Sequence, residues 1–576
     1  MKNVLLIVAA SLFSMQVCPQ SIITPFENSH AKKTATYEQC LTFYYTLSRQ
    51  FNNIILKQFD NTDAGLPLHV VLYSADKQFD PAQWHKQGKV VLLINNGIHP
   101  GEPDGIDASM MLLRDVLTGK IKAPKNVVLA IIPIYNIGGS LNRNSFSRVN
   151  QDGPESYGFR GNAQNLDLNR DFTKNDSRNA MAFAKIFHWL DPDIFIDNHV
   201  SDGADYQNVM TLLSTQQNKL GEPAASFLHD KLEPELYKSM AAKQFEMTPY
   251  VNFEAGSPDK GWVAFYDAPR YSSGFAALFQ TIGFMPETHM LKSFEQRVRS
   301  TYALMQTMME VASKQAAEIK QVKRQMITDV IARKQFPLSW KSDTTYHEMI
   351  PFKGYRSGYK TSDVTGQQRL YYDRSKPLDT QVKYYNRFVP ADVVTTPTYY
   401  IIPQGWWAVI ERLKLNNVAM TRIKNDTTIN VEAYRIEQYK SFQNPYEKHH
   451  PNYDVRVSTS MQPIFFRKGD YVIACNQRAN RYIAEMLEPT GGDSFFAWNF
   501  FDAILQQKEG YSQYRWEDVA AEYVAQHPDV KKLLEDKKRT DSAFAASAAA
   551  QLNFVYKHSP YYEPAHMRYP VYRWHP

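Results

Sequence analysis

The sequence has little cysteine, no marked excess of either charge and no long apolar run in its interior. Three cysteines in 576 residues exclude a disulfide-stapled scaffold and a zinc module built on thiolates. Cys18 falls near the N-terminus; Cys40 and Cys475 either pair or stay as buried free thiols. Lys and Arg exceed Asp and Glu by 65 − 59 = 6, too mild a bias for the basic footprint of a nucleic-acid binder. Beyond the N-terminus nothing approaches the roughly 20 apolar residues of a membrane-spanning helix. Several familiar catalytic signatures are missing as well. There is no His-Glu-x-x-His, no Cys-x-x-Cys, no Gly-x-Ser-x-Gly and no Gly-x-x-x-x-Gly-Lys. Helical zincin, thiol-redox, serine-hydrolase and P-loop chemistries therefore lack their sequence support.

What is present is ordinary for a folded enzyme: 43% apolar and 22% charged residues. At about 150 residues per domain the length holds two to four domains. Aromatics are plentiful at 13%, with 35 tyrosines, which fits β-rich structure or binding surfaces. At the N-terminus, Met1-Lys-Asn precedes the apolar stretch Val4–Phe13. A short basic region followed by about ten apolar residues reads as a secretory signal peptide over residues 1–20. The expectation is an exported, periplasmic or secreted chain. Lipid anchoring at Cys18 is the lesser alternative, because Met-Gln-Val before it is a poor lipobox.

Residues 35–60 have helical spacing of apolar positions. Short apolar runs follow at Leu68–Tyr73, Val90–Ile94, Val127–Ile132, Asp193–Asp197 and Ile282–Pro286. Runs such as Val90–Ile94 are too continuous for half-exposed strands and fit central strands covered on both faces. Helical stretches such as Ala108–Leu117 and Arg178–Leu190 lie between them. The alternation predicts an α/β domain over residues 21–335, with a mostly parallel mixed sheet flanked by helices. A helical stretch from Ser293 to about Lys334 closes it before Pro337. Residues 336–576 change character to Tyr- and Thr-rich strand-like pieces with a helical tail, a β-rich or α+β region. Within it, Lys468-Gly469-Asp470 reads as a hairpin turn between Pro463–Phe466 and Tyr471–Ala474.

Three of the apolar runs end in residues suited to zinc. Val90–Ile94 leads to His99-Pro-Gly-Glu102, Asp193–Ile196 to Asp-Asn-His199, and Ile282–Pro286 to Glu287-Thr-His289. In open parallel sheets, sites form at the carboxyl ends of the strands, so these ends can meet. Two His and one Glu make a catalytic zinc set with a fourth position open. Glu287 is then the spare carboxylate that takes a proton from the activated water. Each residue alone also fits a hydrogen-bonded or solvated structural role. His449-His450 has the look of a metal pair, but adjacent residues seldom face one ion. Trp406-Trp407 fits packing between the two regions or a ligand surface.

The segment Asn165-Leu-Asp-Leu-Asn-Arg-Asp-Phe172 lies between the first and third of these ends. With it, the chain resembles the M14-family zinc carboxypeptidases, in an exported bacterial form with a C-terminal extension. That pattern is His-x-x-Glu, then Asp-x-Asn-Arg, then a distant His, then a base Glu, and the order is kept here over roughly residues 60–295. The resemblance implies one Zn2+ per chain on His99, Glu102 and His199, with Glu287 as general base. It implies that Asn169 and Arg170 hold the substrate's terminal carboxylate, as an amide and a guanidinium fork are able to do. Asp167 matches the carboxylate that orients the first zinc histidine. Arg160, nine residues before Asn169, matches the cytosolic-type branch's carbonyl-polarising arginine. Arg148 and Arg143 are lesser occupants of that role, otherwise solvated loop charges. Tyr271, with Tyr266 as runner-up, matches the tyrosine that closes over the substrate. Gly101 stands where digestive enzymes of the family carry an extra substrate-binding Arg.

The function so implied is hydrolysis of the amide before a free C-terminal residue of a peptide. Trimming of cell-wall peptides, deacylation of N-acyl amino acids and a non-catalytic binding role are the alternatives. The expected partner is a peptide or other substrate with a free carboxylate, with no nucleic acid; the sequence gives no oligomeric state. The C-terminal region reads as an accessory domain that shapes or covers the cleft, or as an interaction module.

Overall fold

A computed structural model describes residues 22–253 and 256–576. The expected signal peptide and Cys18 lie outside the described residues. No described helix is long and apolar enough to cross a membrane.

The apolar runs form one mixed sheet. In spatial order its strands are Ile54–Asn61, Pro67–Tyr73, Val127–Ile132, Val90–Asn95, Ile194–Asp197, Ile282–His289, Met210–Ser214 and Met247–Pro249, and His199–Ser201 also pairs with Ile282–His289. The four central strands run parallel and are buried along their whole length. Continuous Val/Ile/Leu runs are what a sheet covered on both faces requires. One face packs on the helices Tyr37–Gln50, Asp104–Leu117 and Phe294–Lys314. The other packs on Arg178–Leu190 and Ser272–Leu278. The stretch after Ser293 is two helices, because Gln315 leaves helical geometry between Lys314 and Ala316. Ser293 caps the first one through a capping box with Gln296.

Much of the aromatic excess lies in the second core. Phe183 meets Phe172 at 5.1 Å and Phe195 at 5.6 Å, mostly edge-on or tilted. Phe279 meets Phe275 at 5.1 Å and, from the C-terminal region, Tyr482 at 5.3 Å. Each such pair adds about 1 kcal/mol beyond its buried area. The same cluster continues through Tyr400, Ile410, Leu413, Ile483, Met486, Phe501 and Tyr569. The apolar core therefore runs without a break from the first region into the second.

The C-terminal region has long antiparallel ribbons, Glu348–Thr361 with Gln368–Tyr385 and Thr427–Ser441 with Asn452–Phe466. Helices such as Gln513–Gln526 and Ala548–Lys557 form the expected tail. The predicted hairpin at Lys468–Asp470 is corrected. The turn exists, with Gly469 at φ +101°, but Tyr471–Ala474 pairs with Tyr399–Ile402 and Thr421–Arg422 rather than with Asn452–Phe466. The turn's backbone bonds go to Ile423, through Gly469 N–H and Asp470 C=O, so the chain swings away instead of folding back. Cys40 and Cys475 are free and buried in different cores. His449 and His450 do not converge: His449 binds Asp176 at 2.6 Å, and His450 Nδ1 lies 2.9 Å from Phe442 O. Trp406 packs on Phe501 at 4.9 Å, whereas Trp407 is exposed.

Asp176 pins the two regions together. Its carboxylate, nearly inaccessible, meets Lys174 at 3.0 Å, Arg412 at 3.2 Å, Lys448 at 3.7 Å and His449 at 2.6 Å. Burial alone would raise its pKa, but His449, Lys174 and Lys448 hold it well below the usual carboxylate range. A depressed folded pKa means stabilisation that is present above the ordinary Asp value of about 3.9 and lost as pH falls through the folded value. Asp176→Asn leaves Arg412 without its carboxylate partner and Lys174 with Asp171 alone. The expected cost is about 3 kcal/mol at pH 7, and in urea titrations the gap between parent and variant should shrink below about pH 4. Equal stability of the two proteins at pH 7 would refute the pinning role.

Candidate active site

The predicted ligands meet at the carboxyl ends of the central strands. After Val90–Asn95 the chain makes a tight turn in which Glu102 N–H donates to His99 O at 2.8 Å. That turn brings both side chains to one point before the helix Asp104–Leu117 starts. His199 opens the short strand His199–Ser201, in register with Glu287 on the neighbouring strand. His99, Glu102 and His199 are buried, and one ligand atom from each lies within 4.8 Å of the others.

A second carboxylate approaches each ring at Nε2. His99 Nε2 lies 2.9 Å from Asp167 Oδ1, and His199 Nε2 lies 3.0 Å from Asp197 Oδ2. Each Nδ1 then faces Glu102, at 3.2 Å in both cases. His99 Nδ1 is buried and has no hydrogen-bond partner. An orphaned ring nitrogen beside a second one and a carboxylate is costly to bury unless a cation completes it. The donor set fits zinc, and the carboxylates behind both rings fit the outer support that metal-ligating histidines receive.

Asp167 also caps the single turn Leu168–Arg170, accepting Asn169 N–H. Burial opposes its charge, but His99, Arg160 and Arg170 hold its carboxyl well below the usual range. Arg160 forks onto Asp167 with Nε at 3.0 Å and Nη2 at 2.9 Å, and its Nη1 lies 3.6 Å from Glu102. Burial pushes the Glu287 carboxyl up to about 8; Glu102 adds to the shift, while His199, Arg148 and Arg160 oppose it.

Beyond Asp167, whose Oδ2 lies 3.9 Å from Arg170 Nη1, the Arg170 guanidinium lies over the Tyr271 ring at 4.7 Å. Its Nη1 donates to Asn169 O at 2.9 Å. Asn169 is buried, with Oδ1 accepting Ser272 N–H. Asn169 Nδ2 and Arg170 Nη2 carry no hydrogen bond among the described residues. Tyr266 stands apart, against Lys219 and Phe388.

No family model matches the chain. Two curated proteins named Carboxypeptidase 2, from Trichophyton tonsurans and Trichophyton equinum, are each 23% identical to it over 429 residues, covering 71% of this chain and 73% of theirs. The chain is similar to carboxypeptidases. Among solved structures, carboxypeptidase A from Helicoverpa armigera matches with a TM-score of 0.37 at 14% identity, over 50% of this chain and 74% of that one. A metallo-carboxypeptidase from Pseudomonas aeruginosa matches with a TM-score of 0.36 at 13% identity, over 50% and 70%.

Asp197, Tyr446 and Glu447 join the site without any motif marking them, and Arg148 joins it in a place of its own. Asp197 was in view two residues before His199, a spacing that lets a strand-end carboxylate reach the ring. Arg148 is corrected from a solvated loop charge: its side chain is 14% exposed and donates to Glu102 Oε1 at 2.8 Å and to Val200 O at 3.0 Å. A Cβ on Gly101 would lie 2.7 Å from Arg148 Cδ, so the bare glycine makes the room that Arg148 fills. Arg143 instead donates to the backbone at Ser156. Tyr446 and Glu447 come from the C-terminal region. Tyr446 OH accepts Arg170 Nε–H at 2.9 Å, and Glu447 accepts Asp167 N–H at 2.8 Å. His289 is a core histidine, bonded to Ala204 O and packed edge-on against Tyr206. A cavity of about 660 Å3 between Glu233–Ala242 and Glu348–Thr361 is lined by none of the predicted site residues.

Proposed function

We propose that the chain is an exported, zinc-dependent carboxypeptidase that hydrolyses the amide bond before a free C-terminal residue of a peptide. The observation that carries this reading is that two groups flank Asp167, which contacts His99 on one side and Arg170 on the other. A buried His-Glu-His cluster stands beside Glu287, and Arg170 and Asn169 carry N–H groups with no hydrogen bond among the described residues. His99, Glu102 and His199 would hold one Zn2+ and leave one position open. When bound, zinc supplies Lewis-acid polarisation of the scissile carbonyl and of the attacking water. Glu287 takes the water's proton and hands it to the leaving amine. Burial that favours its protonated form suits the second transfer, and a bound dication pulls the pKa down toward the first. Arg160, fixed on Asp167, offers its guanidinium to the developing oxyanion. Arg170 and Asn169 hold the terminal carboxylate and so set the register at the last residue, with Tyr271 closing over it. The apolar segment Val4–Phe13 supports export.

The test is a metal assay joined to a peptide panel. One zinc per chain is expected, with activity lost on chelation and restored by zinc. Cleavage should require a free C-terminus. Arg170→Ala should raise KM at least ten-fold on such peptides. Equal cleavage of C-terminally amidated peptides by the parent would overturn the carboxypeptidase reading. Turnover of N-acyl amino acids without any peptide would replace it with a deacylase.

A further inference from the structure

Arg170, which the proposed function assigns to the terminal carboxylate, is held from both halves of the chain, and the inference below rests on that reading. Its Nη1 is tied to Asn169 O and its face to the Tyr271 ring, both from its own region. Its Nε–H goes to the hydroxyl of Tyr446, 276 residues away. Only Nη2 is left without a hydrogen bond among the described residues.

Tyr446 is itself braced. Its ring stacks on the buried Trp498 at 6.1 Å with 15° between planes. Arg270 lies over both rings, at 5.9 Å and 4.9 Å, and pairs with Asp493 at 2.7 Å. The following residues are pinned to the first region, Glu447 on Asp167 N–H and His449 on Asp176. The Tyr446 hydroxyl thus has a fixed place relative to Arg170. A guanidinium is planar, so fixing Nε–H and Nη1 fixes the direction of Nη2 as well. A long flexible side chain would otherwise have to lose its rotamer freedom at each binding event.

We propose that Tyr446 is a positioning residue for substrate recognition. By accepting Arg170 Nε–H it orients the guanidinium for a free α-carboxylate, which makes the C-terminal region a structural part of the carboxylate site. The ligand class is chains or acyl amino acids ending in a free carboxylate.

The experiment is a double-mutant cycle on the full-length enzyme with Tyr446→Phe and Arg170→Ala. Phe keeps the ring and its stacking on Trp498 and removes only the acceptor. Two readouts are taken: kcat and KM on N-acyl dipeptides, and calorimetric Kd for a panel of N-acetyl amino acids and their amides. Tyr446→Phe should raise KM and Kd for free carboxylates about ten-fold, the scale of one lost hydrogen bond to a charged group. kcat should stay within about two-fold and amide binding should not change. In the Arg170→Ala background the same substitution should do nothing further. Unchanged KM and Kd, a loss in kcat alone, or an equal effect without Arg170 would each overturn the positioning role. If the parent hydrolyses no peptide but the binding cycle still shows the coupling, the carboxypeptidase reading fails and the positioning role stands. A parent that neither hydrolyses peptides nor binds free carboxylates refutes both.

Discussion

Glu287→Gln should lower kcat by roughly three orders of magnitude while leaving zinc content unchanged. Gln keeps the size and one hydrogen-bond acceptor of Glu but does not shuttle a proton, and a positioned acid–base group contributes about 10²–10⁴ in rate. Glu287 is buried in the strand Ile282–His289, in register with His199. The neutral replacement also relieves the repulsion from Glu102 that helps raise the Glu287 pKa. Glu287 is not one of the three clustered metal-ligand candidates, so zinc content should hold, which separates lost chemistry from lost structure. Paired measurements of kcat/KM and zinc stoichiometry decide the matter. Undiminished turnover at full zinc content would remove Glu287 from the mechanism.

Deleting residues 336–576 should abolish folding, beyond any change in kcat/KM. The second core loses its cover in that deletion. Phe279 loses Tyr482, and Arg412 leaves the backbone at Lys174. Phe336 and Ala484 no longer close over Val330, and Tyr384 no longer packs on Trp262. Exposing four or five large side chains at about 2 kcal/mol each matches the whole net stability of a typical domain, about 5–15 kcal/mol. Residues 22–335 alone should show no cooperative thermal transition and should aggregate. A soluble fragment with a sharp transition and parental kcat/KM would show that the shared core is dispensable.

The candidate site was legible in the sequence wherever its residues sit on local chain. His99 and Glu102 share one turn, Asp167 to Arg170 share another, and Glu287 lies near the end of a strand that its apolar run announces. Continuous runs such as Val90–Ile94 gave the buried parallel strands for the same reason: a strand buried on both faces has no polar side to display. What the sequence did not disclose depends on distant pairing. Tyr446 is one of 35 tyrosines and its partner is 276 positions away, so no spacing marks it. Arg148 looked solvated because the space beside Gly101 exists only in three dimensions. The turn at Lys468–Asp470 was correctly placed, but the partner of the strand after it is chosen by the sheet.

The space beside Gly101 links two positions that are far apart in sequence. Any side chain at 101 meets Arg148 and, at 3.1 Å, the backbone oxygen of Gly158. The resemblance implies a cation carried at position 101 in digestive enzymes, whereas this chain brings one beside Glu102 from position 148. The two arrangements exclude each other sterically, so substitutions at 101 and 148 are coupled. Grafting an arginine onto 101 should fail alone and succeed only with 148 cut back to a small residue. In that sense the corner behaves as one exchangeable slot for positive charge, filled from either of two loops.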